Sequence, residues 1–264
     1  MRKSLSIVIP AFNEERHIGA CLDAIAAQTV KPNEVIVVDN NSTDHTVEIV
    51  RRYAFVTLLN EKKQGIVYAR NHGFNAAKGD VIGRIDADTI LPAGWVSYIN
   101  HFYEDPANER TAWTGGGYFY NLPRPLAQII GWGQGQLAYR MNRMLMGYYI
   151  LWGSNMALPS SAWRAVKAKV CLRNDTHEDV DLAIHVHQAG YRISYHEGIK
   201  AGVEARRVHK LSDYKRLWEN LQLWPRTLRV HDNRGWVFGY FGAVGLFALW
   251  PILWLLLKIR EPRI

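Results

Sequence analysis

The stretch LSIVIPAFNEE, residues 5–15, decides the fold. Residues 5–9 form a short continuous apolar run that stops at Pro10, the pattern of a strand buried on both faces. Beyond it, Ile18, Leu22, Ile25 and Ala26 fall at helical spacing. Asn13 is placed to cap that helix, and Glu14 and Glu15 lie in a first turn where the helix dipole favours acids. The cycle then repeats. Residues 34–39 (EVIVVD) read as a second strand, residues 40–44 as a polar turn, and Val47, Val50 and Tyr53 as one face of a second helix. A third strand over 55–60 is followed by a helix over 66–77 closed by Gly79, and a fourth strand over 80–85 runs straight into Asp86. Strands alternating with helices at this spacing give an α/β, Rossmann-like, mostly parallel sheet with helices on both faces.

Such a sheet binds ligands in the crevice beyond the carboxyl ends of its strands. Residues 10–14, 39–42 and 86–88 each follow a predicted strand, so three polar clusters converge on one edge. After Pro92 the pattern loosens. Trp95, Ile99 and Phe102 mark a helix; glycines 115, 116 and 117 follow; residues 126–146 read as a long helix and 150–158 as a strand. A helix over 178–189 ends at Gly190, and a strand lies near 199–203.

Two acid clusters bear on chemistry. Asp86-Ala87-Asp88 places two carboxylates one residue apart at a strand's end, where their oxygens suit Mg²⁺ or Mn²⁺ bridging a diphosphate; alone, such a triplet is more often a solvated turn, and its place after the apolar strand and before Leu91-Pro92 favours the metal. Glu178 and Asp179, in the run His177-Glu178-Asp179-Val180-Asp181, offer a general base or simply compensate the dipole of a helix start. His177, Asp181 and His185 recur at four-residue steps on one helix face, but His185 and His187 fall on different faces and no further ligand motif is visible. A polar helix face is expected there and no zinc. Cys21 and Cys171 are too few for a disulfide framework and lack metal-knuckle or CxxC spacing; buried thiols in a reducing compartment are expected.

The segments SIVIPAFNEE (6–15), VVDNNSTD (37–44), GIVYARNHGFNAAKGD (65–80), DAD (86–88), GSNMAL (153–158) and HEDVDLAIHVHQAGYRI (177–193) together resemble the family 2 glycosyltransferases over residues 4–210. That resemblance implies the GT-A fold and an inverting transfer of a sugar from a nucleoside-diphosphate-sugar to an acceptor hydroxyl. It implies that Pro10, Phe12, Glu14 and Asp39 hold the nucleoside, with Asp39 on the imide edge of the base, and that Arg70 neutralises the diphosphate. Asp86 would touch the ribose or the sugar-side phosphate, Asp88 would ligate Mn²⁺ or Mg²⁺ with Asp86 beside it, and Asp179, next to Glu178, would be the catalytic base. Arg206 and Arg207 resemble a paired basic element near the donor phosphates, although Glu204-Ala205 stands where a small polar residue is more usual. His209 is a similar case.

The 264 residues carry a net charge of +8, and of 10 Trp six lie at or after Trp163. Residues 211–230 mix Leu217, Trp218, Leu221, Trp224 and Leu228 with Lys215, Arg216, Arg226 and Arg229, which suits an amphipathic helix on an anionic membrane. Residues 236–257 contain no charge and as one helix would extend ~33 Å, enough for a bilayer core, although Pro251 interrupts them. The expected organisation is a catalytic domain over 1–210, an interfacial helix over 211–234 and a hydrophobic membrane-associated segment with a basic tail over 235–264. The expected location is the membrane with the catalytic domain in the cytoplasm, and the acceptor is expected to be a sugar, lipid-linked or presented at that surface. The basic residues before the first apolar run do not make a signal peptide, because the run is too short. No nucleic-acid motif is visible, and the basic patch is assigned to lipid. Rival readings are a nucleotidyltransferase-like protein, for which an early glycine-rich phosphate loop is missing, and an inactive membrane protein that retains a sugar-nucleotide fold.

Overall fold

A computed structural model of the chain describes residues 3–122, 127, 139–173, 175–205, 213–231 and 237. Seven strands, β1 Leu5–Ala11, β2 Glu34–Asp39, β3 Val56–Asn60, β4 Val81–Arg84, β5 Thr111–Phe119, β6 Met156–Pro159 and β7 Arg192–Val203, form one sheet in the order β3-β2-β1-β4-β6-β5-β7. The β3-β2-β1-β4 half is parallel; β6 runs antiparallel to both β4 and β5, and β5 is parallel to β7.

The alternation of side chains along β1 explains why the sheet is covered twice. Leu5, Ile7, Ile9 and Ala11 pack with Ile18, Cys21, Leu22 and Ile25 of α1 (Ile18–Ala26) and with Trp95, Val96 and Ile99 of α4 (Trp95–Glu104). Val8 faces the opposite way, into a second core shared with Phe74 of α3 (Ile66–Ala76), Trp163 of α6 (Ser160–Val166) and Leu182 of α7 (Glu178–Gln188). Helix α3 lies so close to the sheet that a Cβ on Gly73 would collide with Val8 Cγ1. The remaining described helices are α2 (Thr46–Val50), α5 (Tyr139–Met146) and α8 (Asp213–Val230).

Pro10 shapes the crevice. Peptide groups of β1 point alternately to β2 and β4: the Ala11 carbonyl accepts from Asn40 on the β2 side and the Val8 carbonyl accepts from Ile85 on the β4 side. Residue 10 therefore addresses β4, and a proline there has no N–H to give. The β1–β4 register accordingly ends at Val8↔Arg84 while β1–β2 continues to Ala11↔Asp39, and β4 diverges as it reaches Asp86.

Several sequence expectations need correction. Asn13 does not cap α1: it adopts φ 55° in the left-handed region, which Asn tolerates better than most residues, and the helix starts at Ile18 behind His17 with no side-chain cap. Glycines 115–117 belong to β5, where small residues are needed because Cβ atoms on Gly115 and Gly117 would meet the Trp113 and Trp152 rings. The strand expected over 150–158 is shorter, Met156–Pro159, and α6 follows it without having been foreseen. Within the helix expected over 126–146, Tyr139–Met146 and residue 127 are helical; 123–126 and 128–138 lie outside the described residues. Helix α8 forms as expected, yet Thr227 and Leu228 are fully buried and Leu228 packs against Val180 and Ile184 of α7, so this part of its apolar face is covered by protein. Among the described residues no helix is long and apolar enough to cross a membrane. Of residues 236–257 only 237 is described.

Candidate active site

The centre of the crevice is an arginine to which the sequence reading gave no role. Arg84 ends β4 at 1% exposure, and its guanidinium reaches both acid clusters. Nη2 donates to Asp86 Oδ1 at 2.8 Å and to Glu178 Oε1 at 3.3 Å, and Nη1 donates to Asp179 Oδ1. The other oxygens are held too: Ser154 Oγ donates to Asp86 Oδ2, and the Gly153 N–H donates to Asp179 Oδ2 at 2.7 Å. Gly153 is glycine because the Arg84 guanidinium occupies the place where a Cβ would stand. Burial opposes the charge on Arg84, but Asp179, Asp86 and Glu178 outweigh it and hold the guanidinium above its ordinary value. Burial raises Asp179 to about 6; Arg84 pulls it down and Glu178 pushes it up. A charged residue inside the apolar run VIGRI was the available signal, since a buried arginine needs acids around it.

The glutamate-aspartate pair is positioned from two further sides. Arg70 is fully buried in α3, where Nη1 donates to the Glu178 carbonyl at 2.8 Å and Nε and Nη2 donate to Asn71 Oδ1. Arg70, for which a diphosphate contact was expected, anchors the start of α7 from beneath. From the other side, the His177 N–H donates to Thr227 Oγ1 of α8 at 2.7 Å, and that hydroxyl donates to the Leu223 carbonyl.

Residues 10–14 and 39–46 interlace at the ends of β1 and β2. The Asn13 N–H donates to Ser42 Oγ at 3.0 Å, the Thr43 N–H to Asn13 Oδ1 at 2.8 Å, and the Glu14 N–H to Thr46 Oγ1 at 2.7 Å. Pro10 is buried within β1, whereas Phe12 is 46% exposed at the rim. Asp39 is buried at the end of β2 and accepts from the Ser42 N–H and Asn60 Nδ2. Glu14 joins the far side of the sheet through His17, whose Nδ1 lies 3.2 Å from Glu14 and whose Nε2 lies 2.7 Å from Glu204. The strand-like bridge between Ile90 and Gly202 brings the end of β7 alongside residues 86–90. Arg206, Arg207 and His209 lie outside the described residues.

The acids fit a hard divalent cation. Asp86 and Asp88 stand one residue apart just after β4, and burial first, then the Asp88, Asp86 and Glu14 carboxylates, push the buried Cys21 thiol far above its usual range. Carboxylate oxygens are the donors that Mg²⁺ and Mn²⁺ prefer, and such ions are commonly held by one or two of them with substrate phosphates and water. Of the two, Asp86 is already fixed by Arg84 and Ser154.

Residues 6–152 match the family model described as Glycosyl transferase family 2, which is more than half of the chain, and residues 81–261 match Glycosyl transferase family group 2. The chain belongs to glycosyl transferase family 2. This family member is similar to glycosyltransferase AglE of Haloferax volcanii, 34% identical over 99 residues that make up 35% of this chain and 33% of the relative. It is similar to chondroitin synthase of Pasteurella multocida, 35% identical over 33% of this chain and 9% of that protein. The chain thus spans about a third or less of these curated relatives. Among solved structures, the mannosyltransferase PcManGT from Pyrobaculum calidifontis in complex with GDP-Man and Mn²⁺ superimposes with a TM-score of 0.65 at 22% identity, covering 89% of this chain and 66% of that one. TarS 1-349 of S. aureus in complex with UDP-GlcNAc gives 0.60 at 17% identity, covering 93% and 81%. At these identities the likeness establishes the fold, and the mixed seven-stranded sheet is that of the GT-A class.

Proposed function

We propose that the protein is an inverting glycosyltransferase that moves a sugar from a nucleoside-diphosphate-sugar to an acceptor hydroxyl, with Asp179 as general base. The observation that supports this best is the Arg84 bridge, which ties Asp86 of the first acid cluster to Glu178 and Asp179 of the second. A bare nucleotide-binding fold has no need of the second cluster at that distance; a transferase needs a base and a donor site in fixed relation. Asp179 takes the proton from the acceptor hydroxyl as its oxygen attacks the anomeric carbon, the bond from that carbon to the diphosphate oxygen breaks, and one displacement inverts the anomeric centre. Arg84 and Gly153 hold the base in place, and Asp39 with Phe12 and Glu14 receives the nucleoside. Asp88, with Asp86 beside it, would hold a divalent cation, which would supply positive charge for the departing diphosphate. Arg206 and Arg207 are assigned to the donor phosphates on the family resemblance.

Neighbours of the same fold are complexed with GDP-Man and with UDP-GlcNAc, which supports a nucleotide-sugar donor without choosing its base. The charge-free residues 236–257 and the basic, Trp-bearing α8 support a membrane location, a cytoplasmic catalytic domain and an acceptor that is lipid-linked or presented at that surface. The test is release of nucleoside diphosphate from UDP-, GDP- and dTDP-sugars, with and without Mn²⁺ or Mg²⁺ and with membrane extract as acceptor. Metal-dependent release from one donor, abolished in folded Asp88→Asn and Asp179→Asn, is expected. Release that survives Asp179→Asn at full rate would remove the base assignment, and absence of nucleotide-sugar binding would overturn the whole reading.

A further inference from the structure

On the side of α7 away from the sheet crevice, four side chains from three separate segments meet. Cys171 comes from the loop after α6, Asp181 and His185 are one turn apart on α7, and His231 follows the end of α8; one ligand atom from each lies within 4.8 Å of all the others. His231 Nε2 is 2.8 Å from Asp181 Oδ1 and 3.9 Å from Cys171 Sγ, and His185 Nε2 is 3.5 Å from the same Asp181 oxygen. Asp181 is fully buried, and its second oxygen accepts the Cys171 N–H at 2.9 Å. His185 is 9% exposed, and neither of its ring nitrogens makes a hydrogen bond among the described residues.

A catalytic triad does not account for this arrangement. In a triad the imidazole uses one nitrogen toward the acid and the other toward the nucleophile. Here His231 turns the same nitrogen, Nε2, to both Asp181 and Cys171. A surface ion pair does not account for it either: Asp181 is fully buried, and with His185 Nε2 turned to its Oδ1 the Nδ1 of the same imidazole still has no hydrogen bond among the described residues. Sulfur, two nitrogens and a carboxylate oxygen within 4.8 Å of one another are the donor set of a four-coordinate borderline-soft cation.

We propose that Cys171, Asp181, His185 and His231 form a structural zinc site that pins the loop after α6 and the end of α8 to α7. Zinc bonds of ~2.0–2.3 Å place tetrahedral ligand atoms ~3.3–3.8 Å apart. The observed separations of 2.8, 3.5 and 3.9 Å straddle that range, so one short edge opens and one long edge closes on binding. Four protein ligands fill the coordination sphere and leave no position for substrate, which makes the site structural. It is distinct from the oxygen donors of Asp86 and Asp88 in ligand type and in place. Its consequence is mechanical: Asp181 lies two residues beyond Asp179, so the ion would fix the register of the helix that presents the acid pair. The sequence reading expected no zinc here; Cys171 and His231 are 60 residues apart, and spacing along the chain does not show that they meet the Asp181–His185 face.

The experiment is metal analysis of the full chain, purified without added chelator and again after removal and resupply of Zn²⁺, together with the absorption spectrum of the Co²⁺-substituted protein. About one zinc per chain is expected, with a thiolate-to-Co²⁺ charge-transfer band and intense tetrahedral d–d bands. Cys171→Ser should abolish the charge-transfer band, and His185→Ala should lower zinc affinity by at least 10-fold, while His187→Ala, whose ring stacks on Tyr148 instead, should change neither. Folded wild-type chain that takes up no zinc, or a Co²⁺ spectrum unchanged by Cys171→Ser, would overturn the site. These readouts involve no donor or turnover, so they stand or fall independently of the proposed transferase.

Discussion

At the scale of single residues the site depends on one cation among three acids. Removing Arg84 leaves Asp86, Glu178 and Asp179 facing one another in a poorly hydrated space, and breaking a buried pair of this kind costs roughly 3–5 kcal/mol. Arg84→Met is therefore expected to lower the free energy of unfolding by that amount in a urea titration; a loss under ~1 kcal/mol would show that the network does not hold the two clusters together. Gly153→Ala is a smaller change with a sharper meaning, because the added methyl takes the space of the Arg84 guanidinium. Overpacking costs about 1–3 kcal/mol, and donor turnover should fall more than stability does because Asp179 loses its alignment. The acids at 86, 88, 178 and 179 were legible in the sequence as clusters at strand and helix boundaries. Arg84 was legible only as an anomaly, and what it contacts depends on β4 and α7 being neighbours, which a separation of 94 positions along the chain conceals.

At the scale of elements, α7 begins against α8 rather than with a cap of its own. His177 has no side-chain cap bond, and its N–H is taken by Thr227. Thr227→Val should destabilise the chain by about 1 kcal/mol and raise hydrogen exchange at the His177 amide, whereas Thr227→Ser should leave both near wild type. Strand pairing brings a pH dependence at the opposite edge. Asp80 accepts from the Ser4 N–H at 2.9 Å and from Ser4 Oγ at 2.7 Å, and these bonds hold its carboxyl below the ordinary value of 3.8. A lowered folded-state pKa means that the stabilisation is complete above the unfolded value and disappears as pH falls through the folded one. Between pH 5 and pH 2 the urea midpoint of the wild type should thus fall more than that of Asp80→Asn; parallel curves would assign no role to this bond. The periodicity of the first half gave β1 to β4 within a residue or two. It was silent at β5, where glycines that make room for the Trp113 and Trp152 rings leave no alternation of side chains to read.

At the scale of the whole molecule, the proposed lipid surface rests on the charge of +8 and on the apolar residues 236–257. Leu228 is spent on α7, but Arg226 and Arg229 remain exposed on α8. The full chain is expected to sediment with anionic vesicles more than with zwitterionic ones and to release as salt rises. Changing Arg226 and Arg229 together to Gln should weaken that binding by ~2 kcal/mol, about 30-fold, at ~1 kcal/mol for each basic residue near the surface. Equal binding to both vesicle types would leave only the apolar segment as the cause, and no binding to either would remove the membrane reading.

The sequence by itself determined the alternating strands and helices, the crevice at the ends of β1, β2 and β4, and the membership of its acids in that crevice. These are local properties: a period of two or 3.6 residues, a proline without an N–H, a carboxylate placed after an apolar run. Only the tertiary structure decided that Arg84 joins the acid clusters, that Arg70 lies buried beneath Glu178, that Thr227 receives the His177 amide, and that Cys171 and His231 meet Asp181 and His185. Each of those is a meeting of elements distant along the chain, and which side chain a buried polar group finds is set by the packing of helices on a sheet rather than by the residues next to it.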